Sequence, residues 1–304
     1  MNKSIYILFY LLLFISCKKQ QETKHEEINT SKNSKIEYAK GFDISYQEGY
    51  KVITLKNAWP GTKKVFKYAL IEEATILDFP EQYDAIVTIP IKNIVVTSTT
   101  HIPSLEMLAV DQTLIGFPNL DYISSKKTRE RINKGLIKEL GKNEDINTES
   151  LIELSPDVVI GFAVDGNNKT FNTLKKTGIP VLYNGDWTET SPLGKAEWIK
   201  FFAAFYNKEA LANKLFSEIK TAYLNAKKLA LKAKNKPTVL SGAMYKDIWY
   251  LPQGKSWAAQ FIADANGKYL WSDSKGTGSH SLNLESVLEK GEHAQFWIGP
   301  SYYT

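Results

Sequence analysis

The chain of 304 residues contains a single cysteine, Cys17. One cysteine closes no disulfide within the chain, so the fold must rest on its apolar core. Histidine is scarce too, limited to His25, His101, His280 and His293. No His or Cys pair has ligand spacing, which makes a bare metal ion a poor fit. Arginine occurs only at Arg129 and Arg131, so the net charge of +5 comes almost wholly from lysine. The lysines are spread along the whole chain and not clustered with aromatics, which argues against nucleic acid as a partner. Enzyme signatures are missing as well. There is no Gly-x-Ser-x-Gly elbow, no Walker loop and no paired Cys. Gly276-Thr277-Gly278-Ser279-His280-Ser281 lacks the third glycine and the preceding strand of a dinucleotide loop, and reads as a flexible linker. The chain is therefore expected to be no enzyme and to need no cofactor.

What is present starts with a targeting signal. Asn2-Lys3 precedes an uncharged apolar run from Ile5 to Ile15. That run is too short to span a bilayer, which takes about 20 residues, and fits a secretory signal core. Cys17 directly follows the small residue Ser16, and this ending resembles the lipobox of bacterial lipoproteins. Residues 1–16 are expected to be a lipoprotein signal peptide, with Cys17 the lipidated residue that anchors the chain to a membrane. An ordinary cleaved signal with an incidental cysteine is the plainer alternative. Residues 17–35 are almost devoid of apolar side chains and read as a flexible tether. Residues 36–92 alternate apolar and polar positions, as in Tyr50-x-Val52-x-Thr54-Leu55, and predict a β-rich region.

Two later segments resemble one another. Asn147-Thr148-Glu149-Ser150-Leu151-Ile152-Glu153 is followed by Pro156-Asp157-Val158-Val159-Ile160-Gly161. Asn283-Leu284-Glu285-Ser286-Val287-Leu288-Glu289 is followed by Gln295-Phe296-Trp297-Ile298-Gly299-Pro300. Each reads as an Asn-capped helix and then a buried apolar strand ending in Gly. Around the first copy, short strands and helices alternate, which predicts a parallel α/β lobe over residues 93–190. Residues 191–235 carry no strand signal. Trp198, Phe201, Phe202 and Phe205 have helical spacing there. Ala210 to Lys234 lacks Gly and Pro, and predicts a helix of about 37 Å at 1.5 Å per residue, long enough to bridge two lobes. Residues 236–304 then read as a second α/β lobe. They hold one copy of a unit that the first lobe repeats, so this lobe is expected to be incomplete.

This order of parts resembles the substrate-binding proteins of bacterial ABC importers, in the group that takes up ferric siderophores, haem and cobalamin. Asn147-Thr148-Glu149-Ser150-Leu151-Ile152-Glu153-Leu154-Ser155-Pro156-Asp157-Val158-Val159-Ile160 is similar to that group's signature, and Gly178-Ile179-Pro180-Val181 to the turn that follows it. The resemblance covers roughly residues 94 to 300. It implies an α/β fold of two Rossmann-like lobes joined by one long helix, with the β-rich region as an addition. It implies capture of a metal chelate (ferric siderophore, cobalamin or haem) between the lobes, for delivery to an ABC permease outside the cytoplasm, and the mix of aromatic and cationic residues expected in the cleft favours a ferric siderophore. It also implies that Glu149 and Glu285, one per lobe, dock into the permease. The macrodipole favours a first-turn Glu in any helix, and the repetition is what distinguishes these two. A non-transport envelope lipoprotein is the rival reading.

Ligand residues are expected at the carboxyl ends of the strands, where loops converge. On the first lobe these are His101, Phe117, Tyr122, Phe162, Asp165 and Trp187. Tyr245, Trp249 and Trp271 are their counterparts on the second. Aromatics suit a bulky ring-containing ligand, although each also suits a core. Arg129 hints at a planar anionic partner, against the plainer reading of a solvated helix face with Glu130. His101 is also a conceivable axial ligand to haem or a corrin.

Overall fold

A computed structural model describes residues 33–73, 82–143, 145–163, 166 and 168–299. Cys17, Asp165 and the predicted signal peptide lie outside the described residues. The β-rich region forms a four-stranded sheet from Phe42–Gln47 (β1), Tyr50–Leu55 (β2), Phe66–Glu72 (β3) and Ala85–Ile89 (β4), in that order. β1, β2 and β3 are antiparallel neighbours, and β4 joins β3 in parallel. Period-two alternation buries Phe42 and Ile44 while Asp43 and Ser45 face water.

The next stretch is an α/β lobe. Its elements are β5 (Ile94–Val96), α1 (Ile102–Met107), β6 (Leu114–Phe117), α2 (Lys126–Asn133) and β7 (Lys138–Glu139). A small hairpin follows, β8 (Gly141–Lys142) and β9 (Asp145–Ile146), then α3 (Thr148–Leu154), β10 (Val158–Gly161), α4 (Lys169–Lys176) and β11 (Val181–Tyr183). Five strands make a parallel sheet in the order β11-β10-β5-β6-β7. β5, β10 and β11 are buried along their whole lengths, as uninterrupted β-branched runs require in a sheet covered on both faces. The chain runs from β5 outward to β7, then returns to place β10 on the other side of β5. The strand order therefore reverses between β5 and β10.

Two short helices, α5 (Pro192–Glu197) and α6 (Ile199–Ala204), precede α7 (Glu209–Ala230). Trp198, Phe201, Phe202 and Phe205 do not line an exposed bridge. They are buried in one core together with the β-rich sheet and the α/β lobe. α7 has 22 residues and is about 33 Å long. It ends four residues before the expected Lys234, because residues 231–236 are all exposed and no packed face holds them helical.

Beyond α7 lie β12 (Thr238–Ser241), β13 (Ala243–Tyr245), β14 (Ile248–Pro252), α8 (Trp257–Asp264) and β15 (Lys268–Tyr269). β16 (Ser279–Leu282), α9 (Leu284–Gly291) and β17 (Phe296–Ile298) complete the described elements. β15-β12-β17 is a parallel sheet and β13-β14-β16 an antiparallel one. A second, separate core gathers Val239, Leu251, Ile262, Tyr269 and Val287. Two expectations fail here. Ser279–Leu282 is not a linker but a strand, recruited by the open edge of β14. β17 is not buried: Phe296 is 57% exposed, and among the described residues β17 lies at the edge of its sheet, paired with β12, with no element packed over its faces deeply enough to bury it.

α7 is tied to the second core through Asp264. Its carboxylate accepts from the Tyr223 hydroxyl at 2.6 Å, Lys227 Nζ at 2.7 Å and Gln260 Nε2 at 2.9 Å. Burial opposes charge on Asp264, but these donors outweigh it and hold the carboxyl below its ordinary range.

Candidate functional site

The strand-order reversal between β5 and β10 sets the candidate site, because ligands of open α/β sheets bind at the carboxyl strand ends beside such a reversal. The two strands stay joined to their ends. Thr97 N–H donates to Ile160 O at 3.1 Å, and Phe162 N–H donates to the Thr97 hydroxyl at 3.4 Å. After β5, Ser98 caps a single 3-10 turn, Thr99–His101, and Pro103 starts α1. Thr99 and Thr100 stay exposed, while the turn drives His101 inward to full burial.

The His101 ring packs at 5.3 Å from the Phe202 ring, and neither ring nitrogen has a hydrogen-bond partner among the described residues. Burial disfavours the imidazolium, and Lys195 adds to that effect. The Asp186 carboxylate opposes it, and the net result is a pKa lowered to about 4. The imidazole is therefore neutral at neutral pH.

The loop leaving β11 closes the same corner. Asn184 N–H donates to Gly161 O at 2.8 Å, and Asp186 N–H donates to Asn184 Oδ1 at 2.9 Å. Between them Gly185 presses against the β-rich region. A Cβ there would lie 2.1 Å from Asn57 O, so only glycine fits. Asn184 is buried and its Nδ2 lacks a partner among the described residues, as does the buried indole nitrogen of Trp187. A buried polar atom without a partner costs about 1–3 kcal/mol. Several at one strand end point to bound water or a bound molecule. On the other side of this loop, Lys195 of α5 reaches the Asp186 carboxylate at 3.4 Å and lies over the ring of Trp257, the first residue of α8.

The remaining predicted residues scatter. Phe162 is half-buried at the same strand ends as His101 and Trp187. Phe117 is part of the core. Tyr122 is 72% exposed. Arg129 donates to Leu120 O at 2.8 Å and lies 3.9 Å from Asp121, so its guanidinium braces its own loop. Arg131 likewise donates to the carbonyls of Gln112 and Leu114. Tyr245 is exposed beside a two-residue turn, Lys246-Asp247, with both residues at positive φ, the geometry that matches strand twist in a hairpin. Trp249 and Trp271 belong to the second core, and the Trp249 indole N–H is spent on Ser241 O at 3.2 Å. Lys195 and Trp257 were not singled out from the sequence. One lysine among so many carries no local signal.

The two Asn-capped helices match in detail. Asn147 Oδ1 accepts from Ser150 N–H at 2.9 Å, and Asn283 Oδ1 accepts from Ser286 N–H at 2.8 Å. Each cap leaves a glutamate exposed in the first turn, Glu149 on α3 and Glu285 on α9. The strand after α3 ends at Gly161, where a Cβ would lie 2.1 Å from the Phe171 ring. α4 can pack that closely only on glycine.

Residues 94–301 match the family described as periplasmic binding protein. An uncharacterized lipoprotein of Methanocaldococcus jannaschii is 31% identical over 225 residues, covering 71% of this chain and 54% of that protein. The chain thus spans about half the length of this relative. Among solved structures, a periplasmic binding protein from Veillonella parvula superposes with a TM-score of 0.56 at 14% identity, covering 82% of this chain and 73% of its own. The periplasmic haem-binding protein HutB of Vibrio cholerae superposes with a TM-score of 0.53 at 17% identity, covering 66% and 73%. At such identities the likeness is one of fold.

Proposed function

The chain belongs to the periplasmic binding protein family, and from that premise we propose that it is the extracytoplasmic substrate-binding component of an ABC importer. It captures a metal chelate, a ferric siderophore first, in a cleft between its two lobes. The observation that carries this reading is the strand-end corner at the reversal between β5 and β10. Phe162 and Trp187 are half-buried in the loops that follow these strands, and His101, Asn184 and Trp187 hold buried polar atoms with no partner among the described residues. Half-buried aromatics with unsatisfied donors suit a bulky, partly polar ligand. Two separate apolar cores joined through one helix support the two-lobe arrangement. A lipid at Cys17 tethers the protein to the membrane, as the lipoprotein relative suggests. Glu149 and Glu285, rigid and exposed on equivalent helix turns, dock it to cationic pockets of the permease.

Titration of tryptophan fluorescence tests the reading. Ferrichrome, haem and cobalamin are added separately, and Trp187 is the reporter nearest the proposed site. Saturable quenching by ferrichrome, lost in Trp187→Phe, is the expected result. Quenching by haem or cobalamin alone moves the assignment to that chelate. No saturable response to any of the three rejects chelate capture.

A further inference from the structure

From Ile219 to Lys246 the chain has seven lysines and no Asp or Glu. Two of the seven are committed, Lys220 to Glu37 at 3.2 Å and Lys227 to Asp264 at 2.7 Å. Lys228, Lys232, Lys234 and Lys236 are exposed and make no ion pair among the described residues. The nearest acid before them on α7 is Glu218.

Leucines share this surface. Leu224, Leu229 and Leu231 are 42%, 68% and 62% exposed. Leu224, Lys228 and Leu231, spaced four and then three apart, fall on one face of the helix. The opposite face is the packed one, where the Tyr223 ring meets the Phe261 ring at 5.8 Å and Lys227 meets Asp264. The helix dipole accounts for Lys227 and Lys228 in the last turn. It accounts neither for the three lysines past the helix end nor for the leucines. We propose that this outward face of α7 rests on the anionic lipid headgroups of a membrane, its lysines on phosphates and its leucines in the acyl boundary.

Other partners fit the face less well. Nucleic acid would take the lysines but leave the leucines in water, and Tyr223, the aromatic of this stretch of α7, is turned away to Phe261. A second copy of the chain is disfavoured, because two such faces repel. The described chain also begins on this side of α7. Ser34 Oγ donates to Asn213 Oδ1 at 3.0 Å, and Asn213 falls on the same helix face as Leu224 and Leu231. The helix runs about 27 Å from Asn213 to Leu231, and residues 18–32 span up to about 50 Å. A lipid at Cys17 therefore leaves the face within reach of the membrane. That placement rests on the lipid-anchor reading above, whereas the charge and the leucines do not.

The test uses the full chain with Cys17→Ser, so that one introduced thiol takes the dye and lipidation plays no part. Leu229→Cys carries the fluorophore NBD, which brightens and shifts to the blue on leaving water. Phosphatidylglycerol vesicles are expected to produce that shift and phosphatidylcholine vesicles are not. Molar salt is expected to reverse it by screening the lysines. Lys228→Gln, Lys232→Gln, Lys234→Gln and Lys236→Gln together are expected to abolish it, with circular dichroism confirming the fold. NBD at Lys134→Cys, the C-cap of α2, is expected to stay unchanged. The proposal is overturned if the dye at residue 229 does not respond to phosphatidylglycerol, if the lysine variant responds fully, or if the dye at residue 134 responds equally. It is also overturned if dextran sulfate alone gives the same shift, which would make the face a polyanion site. Any of these results leaves the anchor at Cys17 standing, which mass spectrometry of the native chain decides separately.

Discussion

The Lys195 ammonium lies 5.6 Å from the centre of the Trp257 ring. Lys195 belongs to α5, which packs in the first core, and Trp257 opens α8, which packs in the second. The same ammonium is 3.4 Å from Asp186, one residue from Trp187. One cation thus touches both halves of the molecule beside the candidate ligand corner.

A double-mutant cycle measures that contact. Lys195→Met and Trp257→Leu are each expected to lower stability. Their coupling energy is expected to be about 0.5–1 kcal/mol, the range for a partly exposed cation–π pair. Urea denaturation of the four proteins reads it out. Strictly additive losses mean that the two side chains are neighbours without an energetic link.

His101 makes stability depend on pH in a defined direction. Its pKa is lowered from 6.5 to about 4 in the folded chain. Below pH 6.5 the unfolded chain takes up a proton that the folded chain refuses until about pH 4. Stability therefore falls as pH drops through that window and levels off below it. The loss is on the order of 3 kcal/mol. His101→Leu removes this component, so the variant's midpoint denaturant concentration should decline less between pH 6.5 and pH 5 than that of the unaltered chain. Parallel declines would count against a neutral buried imidazole.

Glu197 staples the start of the described chain. Its carboxylate accepts backbone N–H donors from Glu37, Tyr38 and Ala39 at 2.7 to 3.1 Å, and the buried Lys200 ammonium at 2.7 Å. Glu197→Gln leaves Lys200 buried without a counter-charge, at an expected cost of about 3 kcal/mol. Glu197→Gln combined with Lys200→Met should recover part of it. Limited proteolysis is the local readout, with cleavage near residues 37–41 expected to speed up in the single variant only.

Charge reversal at the two docking candidates separates transport from binding. Glu149→Arg with Glu285→Arg is expected to abolish uptake in cells while ligand affinity in solution stays within about twofold, because surface substitutions far from a site are nearly neutral. Lost affinity in the double variant would move these residues out of the docking role.

Much of the architecture was legible because it is written in short-range patterns. The Asn caps act on the amide three residues on, so Asn147 and Asn283 announce their helices locally. The β-branched run at Val158–Gly161 reads as a buried strand on its own. The ligand corner was legible in part. His101, Phe162 and Trp187 were placed at strand ends by position alone, but so were Phe117, Trp249 and Trp271, which the packing directs into cores. Lys195 and Trp257 carried no signal, since their meaning lies in a contact between residues sixty-two positions apart.

The sequence by itself determined the order of elements: a β-rich region, an α/β lobe, a long helix, and a second unit that repeats the Asn-x-Glu helix and its following strand. Caps, turns and period-two alternation are interactions over a few residues, so local composition suffices to specify them. Tertiary structure alone decided burial and partnership. Phe296 is exposed because no described element packs over its edge strand deeply enough, while His101 is buried, without a partner among the described residues, because Phe202 and the loop after β11 close over it. Burial depends on which distant segments arrive, and no window of neighbouring residues contains that information.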